Sequence, residues 1–434
     1  MQIILRKKPQ FRMSFAGIER FLALCGLCLS LLPCPVQAQD QPDLPVISAL
    51  HLNQSKMAMH FDLNLSEAVP VHAFLVENPR RLIIDLPEMS FKAKTPHFRG
   101  REALITAFRY GLFAAGQSRI VMDVSGPVRI VDARVVPDLG GLKSARLMVD
   151  MAATDEATFH AAVAGEAARS QAQQSAAPQA GMRTTLPAAD TAPAQPALRT
   201  AEDKRPLIML DPGHGGPDSG AMGEDGVEEK DVVFSFASVL KARLEATGRY
   251  RVQMTRNQDV FVPLEERTRM ARAASANLFL SIHADTLSDT GAVSGATVYT
   301  VSDKASDAEA ARVAAHENQA DMAGGLAAAE QPAEVADILF DLTRRETRAY
   351  AHVFSQSLIA AWKSGPFLSL NKNPQRSAGF VVLKAPDVPS VLLELGYLSS
   401  PKDEKDLVSP DWRDKATASV VHAVDVFFAG AHGP

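Results

Sequence analysis

Cysteine is nearly absent: the 434-residue chain has three, Cys25, Cys28 and Cys34, all close to its start. That start reads as a segment to be removed. Arg6, Lys7, Lys8, Arg12 and Arg20 form a basic region, residues 21–32 are an apolar run too short to span a bilayer, and Val36-Gln37-Ala38 carries the small residues a signal peptidase requires. A secretory signal over residues 1–38 is therefore expected; an uncleaved amphipathic anchor would leave the cleavage pattern without a purpose. Once it is gone no thiol remains, which excludes disulfides and cysteine metal ligands. Pro33 precedes Cys34 where a lipid-anchored protein needs a small residue, so no lipid anchor is expected either, and no transmembrane anchor after cleavage. Positive charge is also scarce. Removing the signal leaves 40 basic against 49 acidic side chains, a net charge of −9, which excludes a general attraction to nucleic acid.

Aromatic side chains are missing between Phe159 and Phe234. Residues 153–203 are dominated by Ala, Gln, Pro, Ser and Thr, with alanines dense enough near 156–174 for some helix. Such a stretch buries too little apolar area to offset its ordering entropy, so a flexible linker is expected. On its N-terminal side, residues 45–152 alternate apolar and polar side chains in short runs broken by Pro, Gly and Asn, the pattern of an all-β domain. One phrase occurs three times there: Arg81-Leu-Ile-Ile-Asp85, Arg119-Ile-Val-Met-Asp123 and Arg146-Leu-Met-Val-Asp150. Positions i and i+4 share a strand face, so each Arg and Asp can pair with neighbours beside it.

From 204 to 430 strands and helices alternate. Strands are expected at 207–210, 251–255, 278–282, 296–301, 380–384 and 391–395, and helices at 229–246, 264–274 and 413–428. That order predicts an α/β domain with a mixed or parallel sheet flanked by helices. Such sheets bind ligands beyond the carboxyl ends of their strands, and that is where the unusual residues fall. The first strand breaks into Asp211-Pro-Gly-His214-Gly-Gly216, the third ends in His283-Ala-Asp285, and the last ends in Glu394. Glu229 opens a helix between the first two, where a carboxylate is electrostatically favoured. Two imidazoles and one carboxylate leave zinc an open position for water. Singly, each has a bland reading: a phosphate loop without the usual fingerprint spacing, a structural histidine, a salt-bridged glutamate. Four ionisable groups at the ends of three strands and one helix are harder to explain that way.

Asp211-Pro-Gly-His-Gly-Gly216, Glu229-Lys-Asp231, Thr255-Arg256, Ser281-Ile-His-Ala-Asp285 and Glu394-Leu-Gly-Tyr-Leu398 closely resemble, in order, the motifs of the amidase_3 family. Leu398 departs from the pattern, which more often has an aromatic residue or isoleucine there. The resemblance implies a zinc N-acetylmuramoyl-L-alanine amidase acting on peptidoglycan. It implies that His214, Glu229 and His283 bind one Zn²⁺ and that Glu394 is the catalytic carboxylate. Arg256 and Asp285 are candidates for supporting the ligands; Asp285 either approaches the metal or orients a ligand. Two other readings stand beside this one: a zinc peptidase cutting the stem peptide, and a non-catalytic cell-wall binder.

The β domain resembles the AMIN domain, a small β-sandwich found in front of periplasmic cell-wall amidases and implicated in envelope localisation. With the signal, this implies a periplasmic protein enriched at the septum. A helical insert is expected at about 303–362. Ser306 and Glu309 read as a capping box opening its first helix, Gly324-Gly325 as its end, and Ala310, Val313, Glu317 and Ala320 fall on one stripe. Val335, Ile338, Leu342, Ala349 and Val353 share a face of a second helix. Division-associated amidases with an AMIN domain carry a comparable insert that occludes the zinc until a LytM-domain activator displaces it. The resemblance therefore makes Glu317 the candidate zinc plug, against the alternative of a partly solvated helix residue. His316, His352 and His422 are expected to be structural or on the surface.

Overall fold

The computed structural model describes residues 44–94, 103–137, 144–176, 203–286, 293–326, 338–365 and 368–430. The expected signal segment and most of the expected linker lie outside these residues, as does Val335. Among the described residues no helix is long and apolar enough to cross a membrane.

The N-terminal part contains β1 (Val46–Gln54), β2 (Ala58–Leu65), β3 (His72–Val76), β4 (Arg81–Pro87), β5 (Ser90–Phe91), β6 (Ile105–Ala114), β7 (Gln117–Val124), β8 (Val128–Pro137) and β9 (Ala145–Ala153). They form a five-stranded sheet, β5-β1-β2-β9-β8, and a four-stranded one, β3-β4-β7-β6. Phe61, Leu63, Leu147 and Val149 of the first sheet and Leu82, Ile84, Ile120 and Met122 of the second enter one buried core. Alternation along each strand is what leaves one face of each sheet free for that core. Helix α1 (Glu156–Ala176) follows directly. Its Phe159 is fully buried in the β core, so the folded unit continues past 152 and the start of the expected linker is helix.

The Arg–Asp repeats pair across strands rather than along them. Antiparallel β4 and β7 set Arg81 opposite Asp123 and Asp85 opposite Arg119. Arg81 Nε meets Asp123 Oδ1 at 2.6 Å, and Arg119 Nε meets Asp85 Oδ1 at 2.6 Å. In the third repeat, Asp150 meets His60 Nδ1 at 2.5 Å instead.

The C-terminal part is built on β10 (Leu207–Pro212), β11 (Arg251–Met254), β12 (Leu278–His283), β13 (Ala296–Val301), β14 (Leu370–Ala378) and β15 (Ser390–Glu394), in the order β11-β10-β12-β15-β13-β14. All pairings are parallel except β13 with β15. On one face α2 (Glu229–Ala246), α6 (Ile338–Ser364) and α8 (Pro410–Ala429) cover Ile208, Leu210, Leu280 and Ile282. On the other, α3 (Leu264–Ala273) and α4 (Ala308–Glu317) cover Leu207, Met209 and Phe279. A sheet buried on both faces explains the unbroken apolar runs in β10, β12 and β15. The short helices α5 (Ala320–Ala323) and α7 (Pro401–Leu407) complete the fold.

Three expectations need correction. Residues 381–383 are a 3₁₀ turn, not a strand; the strand is β14, whose polar sequence and Pro374 suit a sheet edge. The cap of α4 is Asp307, whose side chain accepts from the Ala310 N–H, whereas Ser306 accepts from Ser377; the helix also stops at Glu317, before α5 and the glycines. Finally, Phe354, Leu358 and Trp362 of α6 are core residues, so the C-terminal half of the expected insert belongs to the body of the domain.

Candidate metal centre

Three strand ends and one helix start converge. His283 and Glu394 are register partners on the parallel strands β12 and β15, so both side chains emerge side by side. His214 lies two residues beyond β10 in a left-handed conformation, φ 56°. A Cβ on the preceding Gly213 would come within 2.3 Å of the His283 ring, so only glycine lets the two histidines approach this closely. The rings meet edge to face with centroids 5.0 Å apart. Glu229, the first residue of α2, completes the group from the next element in the chain.

The polar atoms point inward. His214 presents Nε2, 3.2 Å from Glu229 Oε2, because its Nδ1 is tied to Asp218 Oδ2 at 2.9 Å. His283 presents Nδ1, 3.1 Å from Glu229 Oε1. The N–H groups of Ala221 and Ala284 donate to Oε2 and Oε1 of Glu229 at 2.9 and 2.8 Å, which fixes the carboxylate. Burial works against its charge, but the two imidazoles outweigh burial and hold it well below the usual carboxylate range.

Glu317 is the fourth member. It comes from the last turn of α4 and sits 2.9 Å from His283 Nδ1 and 3.5 Å from His214 Nε2. The stripe read from the sequence, Ala310, Val313, Glu317 and Ala320, is buried throughout. Ligand-type atoms of His214, Glu229, His283 and Glu317 all lie within 4.8 Å of one another. His214 Nε2 and both Glu317 oxygens are buried with no hydrogen-bond partner. Buried polar atoms left unpaired are costly. Three of them, from one imidazole and one carboxylate, in a group of two imidazoles and two carboxylates turned toward one point, suit a divalent cation and four-coordination by N and O donors.

Glu394 stands beside this group. Its Oε2 accepts from the Asp285 N–H at 3.2 Å, and its Oε1 is buried without a partner. Burial, opposed by His283 and reinforced by Glu317, Asp285 and Glu229, lifts its carboxyl well above the usual range. Asp285 faces the insert, its Oδ1 3.0 Å from His316 Nδ1. His316 is on the surface, as one of its two expected placements has it, and is also bonded to the site through Asp285. Arg256 does not face the cluster. It donates from Nε to Pro212 O and from a terminal nitrogen to Gly213 O, both at 3.0 Å, and so braces the loop that carries His214.

Two further residues escaped the sequence reading. Buried Arg267 donates to His214 O at 2.9 Å and pairs with Asp211 Oδ1 at 2.8 Å, while Asp218 orients His214. In sequence, Arg267 looks like any helix arginine. Asp218, four residues after the histidine in a glycine-rich loop, offered the better signal.

The sequence profile of the amidase_3 family, N-acetylmuramoyl-L-alanine amidases, matches residues 208–426. The chain is 31% identical over 361 residues to the N-acetylmuramoyl-L-alanine amidase AmiC of Escherichia coli, covering 82% of this chain and 83% of that protein. This chain belongs to the amidase_3 family. AmiC of Neisseria meningitidis is 31% identical over 404 residues, covering 92% of this chain and 94% of its own. AmiA of Salmonella typhimurium is 35% identical over 235 residues, covering 54% of this chain and 80% of its own. The longer AmiC matches extend beyond the family's conserved region, so the likeness to them takes in the β domain as well.

Proposed function

We propose that this protein is a periplasmic zinc amidase that hydrolyses the bond between the lactyl group of N-acetylmuramic acid and L-alanine in peptidoglycan. The observation that carries this reading is the convergence of His214, Glu229 and His283 on one point beside Glu394, in a member of the amidase family. His214 through Nε2, His283 through Nδ1 and Glu229 would hold the ion. When bound, zinc supplies Lewis acidity, lowering the pKa of water to about 7 and polarising the scissile carbonyl.

The chain's own groups do the rest. Glu394 has one oxygen fixed by the Asp285 N–H and one free, an arrangement that suits a group collecting and returning a proton. Oε1 takes the proton from the attacking water and returns it to the leaving amine of L-alanine, and the walls of the pocket keep that exchange from bulk solvent.

Glu317 is the regulatory element of this reading. A tethered carboxylate among the groups that would hold the ion has a high effective concentration and would outcompete water with only modest intrinsic affinity. The enzyme is then closed until a partner, a LytM-domain activator, binds the displaced helix better than the docked one. The β domain serves as an AMIN-type targeting module at the envelope and septum.

The test is digestion of purified sacculi by the metal-loaded protein, with activator supplied, and mass analysis of the fragments. Free stem peptides beginning with L-alanine support the proposal. Cleavage within the stem peptide would replace it with a peptidase, and no release at all would replace it with a wall-binding role.

A further inference from the structure

The β domain touches the plug. Gly111 of β6 lies against the metal loop so closely that a Cβ there would come within 2.2 Å of the Gly216 carbonyl carbon. The Phe261 N–H donates to Leu112 O at 3.0 Å, and the Phe113 ring stacks on Phe261 with centroids 5.5 Å apart. Beside this seam runs the segment that follows Glu317. The Leu264 N–H donates to Asp321 Oδ1 at 2.8 Å, which ties the segment to the catalytic body. Its other side faces the sheet that carries the Arg–Asp pairs. A terminal nitrogen of Arg81 donates to Met322 O, and one of Arg119 donates to Gly325 O at 3.2 Å. These are carbonyls at and just beyond the end of α5; that of Met322 also accepts from the Gly325 N–H at 2.9 Å. A cavity of about 240 Å³ marks the place where the three parts meet, lined by Arg81 and Arg109, by His214 and Asp218, and by Gln319 and Met322.

We infer that Arg81 and Arg119 make the β domain a clamp on the plug: they hold the 319–325 segment down and thereby keep Glu317 in the metal pocket. This rests on the autoinhibited reading above and adds a second lock to it. Both arginines are buried and paired across the sheet, Arg119 with Asp85 and Arg81 with Asp123, which it shares with Arg109. Asp123 and Asp85 hold the two side chains, so the remaining N–H groups are presented to the segment at little further entropic cost. Such donors make charge-assisted bonds, stronger than neutral ones. They are positioning residues, acting through the segment and not on substrate. Coupling of this kind is reciprocal. Withdrawal of the β domain loosens the plug, and displacement of α4 loosens the β domain to the same extent. An activator and a wall ligand that engages the β-domain face would then reinforce one another.

The test uses the full-length, metal-loaded protein without activator, and attacks the contact from both sides. The first variant is Arg81→Gln/Arg119→Gln. The second is Gly325→Val, at φ +81°, where a Cβ would sit 2.8 Å from Ile83 Cδ1 and 3.2 Å from Val121 Cγ2, so the segment is pushed off an unaltered β domain. Each is expected to raise basal release of stem peptide by about tenfold, the effect of weakening docking by about 1.4 kcal/mol. Hydrogen exchange in 308–325 should quicken in both, while amides of β4 and β7 stay protected. If the arginine variant loses that protection, Gly325→Val decides. Parent-like exchange and turnover in Gly325→Val, with a faster Glu317→Ala enzyme, would overturn the clamp and leave the plug standing. If Glu317→Ala is itself no faster, the plug reading fails, and exchange in 308–325 alone judges the clamp.

Discussion

Glu317 Oε2 stands 2.9 Å from Nδ1 of His283, so a side chain carried by α4 occupies the pocket shaped by β10, β12 and the first turn of α2. Its two oxygens find no hydrogen bond there, although burial at this depth normally demands one. A bound cation would resolve that conflict, and on the proposed reading the carboxylate would then compete with water. Changing Glu317 to Ala should therefore raise basal activity on purified peptidoglycan without activator. The comparison is made at matched zinc content, so that a folding defect is not mistaken for regulation. Equal turnover in a well-folded, zinc-loaded variant would show that α4 does not plug the site through this residue.

Metal retention separates the roles of the other four groups. His214→Ala, Glu229→Ala and His283→Ala each delete one of three ligands and should lose zinc by elemental analysis. Glu394→Ala should keep the metal and lose roughly 10²–10⁴-fold in turnover, the usual value of a positioned proton carrier. Full zinc in all three ligand variants, or wild-type turnover in Glu394→Ala, would undo the assignment.

The ligand-type residues stood out because each sits at an element boundary: His214 in a glycine-rich turn after an apolar run, His283 and Glu394 closing one, and Glu229 opening a helix. The fold class was legible for the same reason, since β10, β12 and β15 are apolar throughout. β14 was not, because Leu370–Ala378 is an edge strand with polar side chains and no alternation to read. Residues 380–384 are apolar because Phe380, Val382 and Leu383 are buried from a turn, and burial does not require a strand. The Arg–Asp repeat was visible as a repeat, but its partners lie across β4 and β7, and register between distant strands leaves no mark along one strand. Arg267 was illegible on similar grounds: only the fold shows that its guanidinium ends among Asp211, Pro212 and His214.

Arg267 yields a stability prediction. It is buried with Asp211, whose other oxygen accepts from Ser281 at 2.7 Å, and burial opposes the charge that Arg267 stabilises. Arg267→Met leaves a buried carboxylate without its counter-charge and frees three carbonyls, those of Pro212, His214 and Val262. The expected loss is about 3–5 kcal/mol in denaturant unfolding, the usual cost of removing one partner of a buried pair. A loss within the scatter of surface substitutions would mean that Asp211 finds another partner.

Asp218 carries the last prediction, which concerns the metal without touching it. Its Oδ2 lies 2.9 Å from His214 Nδ1, and its Oδ1 accepts from the Gly220 N–H at 3.1 Å. The carboxylate therefore settles which ring nitrogen carries the proton, and leaves Nε2 as the free donor facing Glu229. It also makes the imidazole more basic and so a better ligand. Among the described residues no carboxylate pairs with the other nitrogen of His283: its Nδ1 faces the cluster, so the two histidines use different nitrogens. Asp218→Asn keeps the shape and removes the charge, and an amide can present either its oxygen or its NH₂ to the ring. Zinc affinity should fall by roughly 10–100-fold, as is usual when the partner of a ligating histidine is lost. Competition with a chelator of known affinity measures this directly, and the thermal transition of the metal-free protein should stay close to that of the parent. Unchanged affinity would mean that the loop itself, through Arg256 and Arg267 on its carbonyls, is sufficient to aim His214.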